Sequence, residues 1–169
     1  HGGMGGTFQL DSTASVYGSI EEPTALGSGS GWPGGGAVYM TVNGTATIDG
    51  AIDVTAHDNS ANANGGSGGS IYLRTDALAG AGVLRAHGGS ADSKPGGGGG
   101  RIAVVLTGAG EDFAGFSGSM EAYGGMTADS HGTRGQAGTI YLEKRSDNAG
   151  EGSLIVDNNS NTRVARDAY

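Results

Sequence analysis

Hydrophobic residues recur along this chain in short alternating strings, each opened by a glycine. The pattern Gly-x-hydrophobic-x-hydrophobic occurs at Gly6-Thr7-Phe8-Gln9-Leu10, Gly36-Ala37-Val38-Tyr39-Met40, Gly69-Ser70-Ile71-Tyr72-Leu73, Gly100-Arg101-Ile102-Ala103-Val104 and Gly138-Thr139-Ile140-Tyr141-Leu142. The first hydrophobic positions are spaced 30, 33, 31 and 38 residues apart. A shorter string follows each of the last four: Ile52-Asp53-Val54, Leu84-Arg85-Ala86, Met120-Glu121-Ala122 and Leu154-Ile155-Val156. Alternation with period two is the signature of strands with one buried face, and a repeat near thirty residues is that of stacked supersecondary units. Between the strings, Asn64-Gly65-Gly66, Lys94-Pro95-Gly96 and Asp147-Asn148-Ala149-Gly150 are turn chemistry.

These strings predict an all-β fold: a parallel β-helix or solenoid of about five coils with Gly-rich turns and loops. Residues 1–169 read as one domain, with a Gly-rich opening segment 1–35, repeat coils 36–157 and a polar C-terminal cap or linker 158–169. Phe8, Leu10, Val38, Met40, Ile71, Leu73, Ile102, Val104, Ile140 and Leu142 would face inward from one sheet. Ile52, Val54, Leu84, Ala86, Met120, Ala122, Leu154 and Val156 would face inward from the other. The glycine before each first strand would sit in a corner column, so that Gly69→Val or Gly100→Val harms far more than Ser70→Val. A competing arrangement, a bundle of polyproline-II-like glycine helices, calls for a three-residue glycine period, whereas Gly96 to Gly100 is an unbroken block.

Composition sharpens this picture. Of 169 residues 37 are Gly, yet 36% are hydrophobic, enough for a folded core. Cysteine is absent, which excludes disulfides, zinc–thiolate sites and cysteine nucleophiles. The net charge of −8 argues against nucleic acid or anionic membrane as a partner. No apolar run is long enough to span a bilayer, so membrane insertion is not expected, and the chain contains no signal-peptide pattern. It starts at His1, as either a processed mature protein or a piece of a longer one.

The order His1-Gly2-Gly3-x-Gly5-Gly6, Tyr17-Gly18-Ser19-x-x-Glu22-Pro23, Gly27-Ser28-Gly29, Gly36-Ala37-Val38, Gly68-Gly69-Ser70-Ile71-Tyr72-Leu73, Gly99-Gly100-Arg101-Ile102-Ala103 and Leu154-Ile155-Val156-Asp157-Asn158 resembles glycine-rich repeat modules of very large secreted or surface proteins of bacteria and some protists. The similarity spans nearly the whole chain, with Trp32-Pro33 as a departure. It implies an extracellular module, secreted or at the cell surface, of adhesive, structural or glycan-associated role within a larger protein. In this reading His1 belongs to the module's opening motif, which favours a cut fragment. The resemblance carries no catalytic residues.

Three groups of residues could bear function. Tyr39, Tyr72 and Tyr141 would form an outward column on which sugar rings could stack, with Trp32 nearby; the alternative is that tyrosines simply suit paired strands. Asp53, Arg85, Glu121 and Ile155 would form one outward column of the second sheet, and Thr55, His87, Tyr123 and Asp157 the next. Asp53 and Glu121, two rungs or roughly 9.6 Å apart, approach the carboxylate separation of inverting glycosidases. Arg85 between them makes an alternating-sign ladder the simpler reading. Asp58, Asp147 and Asp157 are candidates for Ca²⁺, although the Gly-Gly-x-Gly-x-Asp calcium repeat is missing. A natural N-terminal His1 could hold copper together with His57, His87 or His131. The Gly29-x-Gly31-x-x-Gly34 string precedes a strand instead of a helix and is set aside, as are the Asn43-Gly44-Thr45 and Asn158-Asn159-Ser160 triplets. The expected function is an extracellular structural or adhesive module binding glycan or cell-surface material. The alternative is a polysaccharide-degrading enzyme, hydrolase or lyase through Asp53, Glu121, Arg85, His87 and Tyr123, or copper-dependent through His1.

Overall fold

The structure, a computed structural model, describes residues 2–5, 16–29, 32–58, 63–128 and 134–160. Among these residues eight strands form, in chain order: β1 (Ala37–Thr47), β2 (Ala51–Asp53), β3 (Ser70–Ala79), β4 (Val83–Arg85), β5 (Arg101–Leu106), β6 (Ser119–Glu121), β7 (Thr139–Lys144) and β8 (Ser153–Ile155). A 3₁₀ turn, Phe113–Gly115, precedes β6 and is capped by the Asp112 carboxylate, which accepts from the Ala114 N–H. The strands make two sheets, one of order β1-β3-β5-β7-β8 and one of order β2-β4-β6.

Four strands of the first sheet run parallel, with the repeated motif as their register. Val38 pairs with Ile71, Ile71 with Ile102 and Ile102 with Ile140; Met40, Leu73, Val104 and Leu142 form the parallel row. In the second sheet Ile52, Leu84 and Met120 align in the same way. Period-two alternation sends both sets between the sheets, where Ile71, Leu73, Leu84, Ile102, Val104 and Leu106 lose all contact with solvent. Burying each such aliphatic side chain contributes about 1.5–3 kcal/mol.

The parallel solenoid of about five coils expected from the sequence is not what the chain forms. The first sheet is mixed: β8 runs antiparallel to β7, pairing Ile140 with Ile155, Tyr141 with Leu154 and Leu142 with Ser153. Leu154 and Ile155 therefore belong to the first sheet, and the second stops at three strands among the described residues. Leu154 and Val156 stay exposed instead of turning inward. The reversal has a local cause. The Lys144 N–H donates to Asp147, the Asp147 N–H returns to the Lys144 carbonyl, and Gly150 takes φ +79°. The Gly150 and Gly152 N–H groups are then held by Glu143 and by the Tyr141 hydroxyl, folding the chain back on β7. The first repeat, Gly6 to Leu10, and residues 161–169 of the polar C-terminal segment lie outside the described residues.

Beyond the sheets the molecule is built from glycine. The stretches leading into β3, β5 and β7 (65–69, 96–100, 135–138) lie beside those leaving β2, β4 and β6 (54–57, 86–89, 122–125), joined by backbone hydrogen bonds of 2.7–3.1 Å. The donors rotate with a period of three. Gly97 and Gly100 donate to the second set, at Gly89 and Ala86, while Gly99 donates to Gln136 in the first. Gly135 and Gly138 likewise donate to Gly125 and Ala122, with Gln136 between them donating outward to Met4. Three residues per turn with every bond made to a neighbour is the behaviour of an extended, polyproline-II-like chain. Backbone packing between glycine-rich stretches is thus present beside the sheets. No strict glycine period is needed, because neighbours crowd the stretch 96–100 on several sides. An added Cβ on Gly97 would stand 1.8 Å from the Gly66 carbonyl oxygen, and one on Gly69 would stand 1.7 Å from that of Gly36. Neither residue has a positive φ, so close approach, not backbone freedom, demands glycine there.

Residues 16–28 form an arm across the outward face of the first sheet. The Ser70 hydroxyl donates to the Ala25 carbonyl at 2.6 Å, and the Arg101 guanidinium lies 6.0 Å from the centre of the Tyr17 ring.

Candidate binding surfaces and the charged ladder

Strand pairing places Asp53, Arg85 and Glu121 side by side on the outward face of the second sheet. Arg85 bridges them, its Nη1 3.5 Å from Asp53 Oδ2 and its Nε 3.2 Å from Glu121 Oε2. Glu121 Oε1 accepts from the Ser119 hydroxyl at 2.8 Å, and Asp53 Oδ1 accepts from the Thr55 N–H at 2.9 Å. Burial pushes both carboxyls up, but hydrogen bonds from Ser119 and Thr55, with the Arg85 charge, outweigh it and hold both below their ordinary range. Hydrogen bonding to Glu121 raises Arg85 further.

His87 completes the cluster. The Tyr123 N–H donates to His87 Nδ1 at 3.0 Å, which leaves the ring proton on Nε2, 3.2 Å from Glu121 Oε2. Burial lowers the imidazole pKa despite the Glu121 charge, keeping this neutral tautomer. The ring stacks on Tyr123 with centroids 4.8 Å apart and planes 12° from parallel. The Thr55 hydroxyl accepts from the His87 N–H, so Thr55, His87 and Tyr123 of the second expected column come together, whereas Asp157 follows β8, which joins the other sheet. Ile155 is absent from the first column because β8 left this sheet. Beside the stack lies a cavity of about 250 Å³ lined by Thr55, Asp58, Ser90, Met126 and Asn159 among others.

Glycoside hydrolysis with two carboxyls needs one of them protonated near neutrality, with its pKa raised. Here both are ionised and joined through a guanidinium. The arrangement suits a cross-strand ladder, each exposed pair contributing at most about 0.2–1 kcal/mol.

The tyrosine column is only partly available. Tyr39 and Tyr72 stack with centroids 4.8 Å apart and planes 23° from parallel. Tyr39 is 54% exposed, whereas Tyr72 and Tyr141 retain 7% and 4%, so the expected row of accessible phenols reduces to one ring. Tyr72 and Tyr141 pack with Ala103 on the face that the arm crosses, and the Tyr141 hydroxyl is taken up by Glu143 and Gly152. At the sheet edge, Tyr39 donates its hydroxyl proton to Glu22 Oε1 at 3.0 Å, and that bond raises its pKa. Trp32 stacks instead on His57, centroids 5.3 Å apart.

The calcium candidates are not brought together. Asp58 accepts from the Ser90 N–H of the next repeat, whereas Asp147 accepts from Lys144 and Asp157 from Asn159 within their own turns. Among the described residues no three His, Cys, Asp or Glu side chains are grouped to hold a metal. His1 and His131 lie outside the described residues. No helix among the described residues is long and apolar enough to cross a membrane.

Two positions that hold these surfaces in place carry no repeat signal. Glu22 fixes Tyr39 from a segment that precedes the first strand. Asn158 stands where the next rung of the glycine stack would pass: its Oδ1 accepts from the Gly124 N–H at 2.7 Å and its Nδ2 donates to the Gly135 carbonyl at 3.1 Å. A side-chain amide there does what a peptide group does one rung earlier, where Gly88 donates to the Tyr123 carbonyl. No family model, no curated protein and no solved structure matches the chain.

Proposed function

We propose that the chain is a structural and adhesive module of an extracellular or cell-surface protein, and that it contacts glycan through Tyr39. The observation that carries this reading is the state of that ring. It is half exposed, yet Tyr72 supports one face and Glu22 holds its hydroxyl, so docking costs little side-chain entropy. Aromatic faces of this kind take the apolar face of a sugar while nearby acceptors take its hydroxyls. The rigid, backbone-bonded glycine stack behind the sheets suits a load-bearing module. Against the degradative alternative stands the ladder, which offers no carboxylic acid to a leaving group.

Co-sedimentation with insoluble polysaccharides tests this reading. Binding should fall at least tenfold in Tyr39→Ala and persist in Glu121→Gln, with no soluble product released. New reducing or oxidised ends, lost in Glu121→Gln, would replace the module by an enzyme.

A further inference from the structure

Beside the His87–Tyr123 pair, the three-residue rhythm of the glycine stack brings two rows of side chains to one face. One row is Thr55, His87 and Tyr123; the other is Asp58, Ser90 and Met126, three residues further along each repeat. Hydrogen bonds keep the second row in step: the Ser90 N–H donates to Asp58 Oδ1 at 2.7 Å, and the Met126 N–H donates to Ser90 Oγ at 3.3 Å. Three residues of extended rise set the rows about 9 Å apart. Between them lie Gly88, Gly124 and Gly125, so the floor has no side chains, and Asn158 closes one end through its bonds to Gly124 and Gly135. Asn159, beside it, has a left-handed φ of +47°, a conformation that costs a non-glycine residue energy and is found at ligand clamps.

The cavity enclosed in this way measures about 250 Å³, below the roughly 300–1,000 Å³ that holds a drug-sized ligand, so it takes one ring and not a chain. Its walls are mixed. Met126, 48% exposed, and the edges of the stacked rings give apolar contact. The Tyr123 hydroxyl makes no hydrogen bond among the described residues, and burial raises its pKa and keeps it a donor. Ser90 Oγ already accepts from the Met126 N–H, which leaves its proton to donate. Asp58 gives one oxygen to Ser90 and keeps the other as an acceptor. With His87 neutral, Asp58 is the one charge among the described lining residues. Two hydroxyl donors and a charged acceptor around a partly apolar space match a ring that bears several hydroxyls. A ligand carboxylate or phosphate would instead meet Asp58, in a chain of net charge −8.

We infer that this cavity binds a single neutral pyranose unit, free or at the end of a glycan, whose hydroxyls accept from Tyr123 and Ser90 and donate to Asp58. The site lies on the side of the second sheet, whereas Tyr39 is on the first, and it does not rest on glycan contact there.

Backbone NMR of the full chain, titrated with free neutral hexoses and their methyl glycosides, decides the matter. At least one sugar should shift the amides of Ser90, Tyr123 and Met126 along a saturable curve with a millimolar Kd. The matching uronate should bind about tenfold more weakly. Tyr123→Phe, which keeps the ring on His87, and Asp58→Asn, which keeps the oxygen that Ser90 uses, should each weaken binding about tenfold with unchanged circular dichroism. Methyl glycosides that bind as well as free sugars identify a chain end as the ligand, and free sugars binding alone identify a soluble monosaccharide; each supports the site. No saturable shift with any hexose overturns the proposal. So does a uronate that binds equally well, or binding that is unchanged in both variants. Shifts at Tyr39 are read in the same spectra, so glycan contact there holds or fails separately.

Discussion

The molecule has two halves that solve the same problem by opposite means. Between the sheets, Ile71, Leu73, Leu84, Ile102 and Val104 fill the space with side chains. In the glycine stack the backbones themselves touch, with Gly97 receiving from Gly125, donating to Gly89 and lying against Gly66. In the first region stability comes from apolar surface removed from water. In the second it comes from peptide groups that are desolvated yet satisfied in several directions at once. A methyl group is an asset in one region and an obstruction in the other.

Substitutions of opposite sense should therefore exchange their effects across the boundary. The largest loss is expected for Gly97→Val or Gly69→Val, where the new side chain meets backbone with nowhere to go; more than about 5 kcal/mol, or no folded protein, should appear in denaturant titrations. Leu73→Ala or Ile102→Ala should cost about 2–5 kcal/mol. Ser70→Val, expected from the sequence to harm far less than Gly69→Val, removes a buried hydroxyl that bonds Ala25 and should cost about 1–3 kcal/mol, still less than the change at Gly69. If Gly97→Val proves no worse than Leu73→Ala, the two regions do not differ as argued.

At the end of the glycine stack, Asn158→Ala leaves the Gly124 N–H and the Gly135 carbonyl without the amide that joins them. A loss of about 1–3 kcal/mol is expected, while the isosteric Asn158→Asp should fail to restore the donor to Gly135. The smallest effect is electrostatic. The His87 pKa is lowered on folding, so its contribution is fully present above the ordinary value of 6.5 and declines as pH falls below it. The Asp53 and Glu121 pKa values are also lowered, so their contributions are present above 3.8 and 4.5 and are lost in more acidic solution. Melting temperature against pH should fall in two steps, and His87→Gln should remove only the upper one.

Much of the strand region was legible. The Gly-x-hydrophobic-x-hydrophobic string predicts the register Val38–Ile71–Ile102–Ile140, because parallel rungs place like positions over one another. The same logic aligns Asp53 with Arg85 and Glu121. It cannot see direction, since an alternating strand has the same period read forwards or backwards. Leu154-Ile155-Val156 thus resembles its predecessors while the turn at Lys144–Gly152 reverses it. The burial of Tyr72 and Tyr141 depends partly on the arm 16–28, whose sequence repeats nothing. The glycine stack hides for another reason: its three-residue rhythm lies in the direction of N–H groups, which leaves no mark on residue identity where glycine fills nearly every position.

Amide hydrogen exchange resolved by residue tests the central claim most directly. If packed backbones hold the molecule together, the N–H groups of Gly97, Gly99, Gly100, Gly125 and Gly135 are protected to the same degree as those of Ile102 and Val104. Glycine amides that exchange at the rate of an open chain while the strands stay protected would contradict it, leaving the sheets as the only folded part.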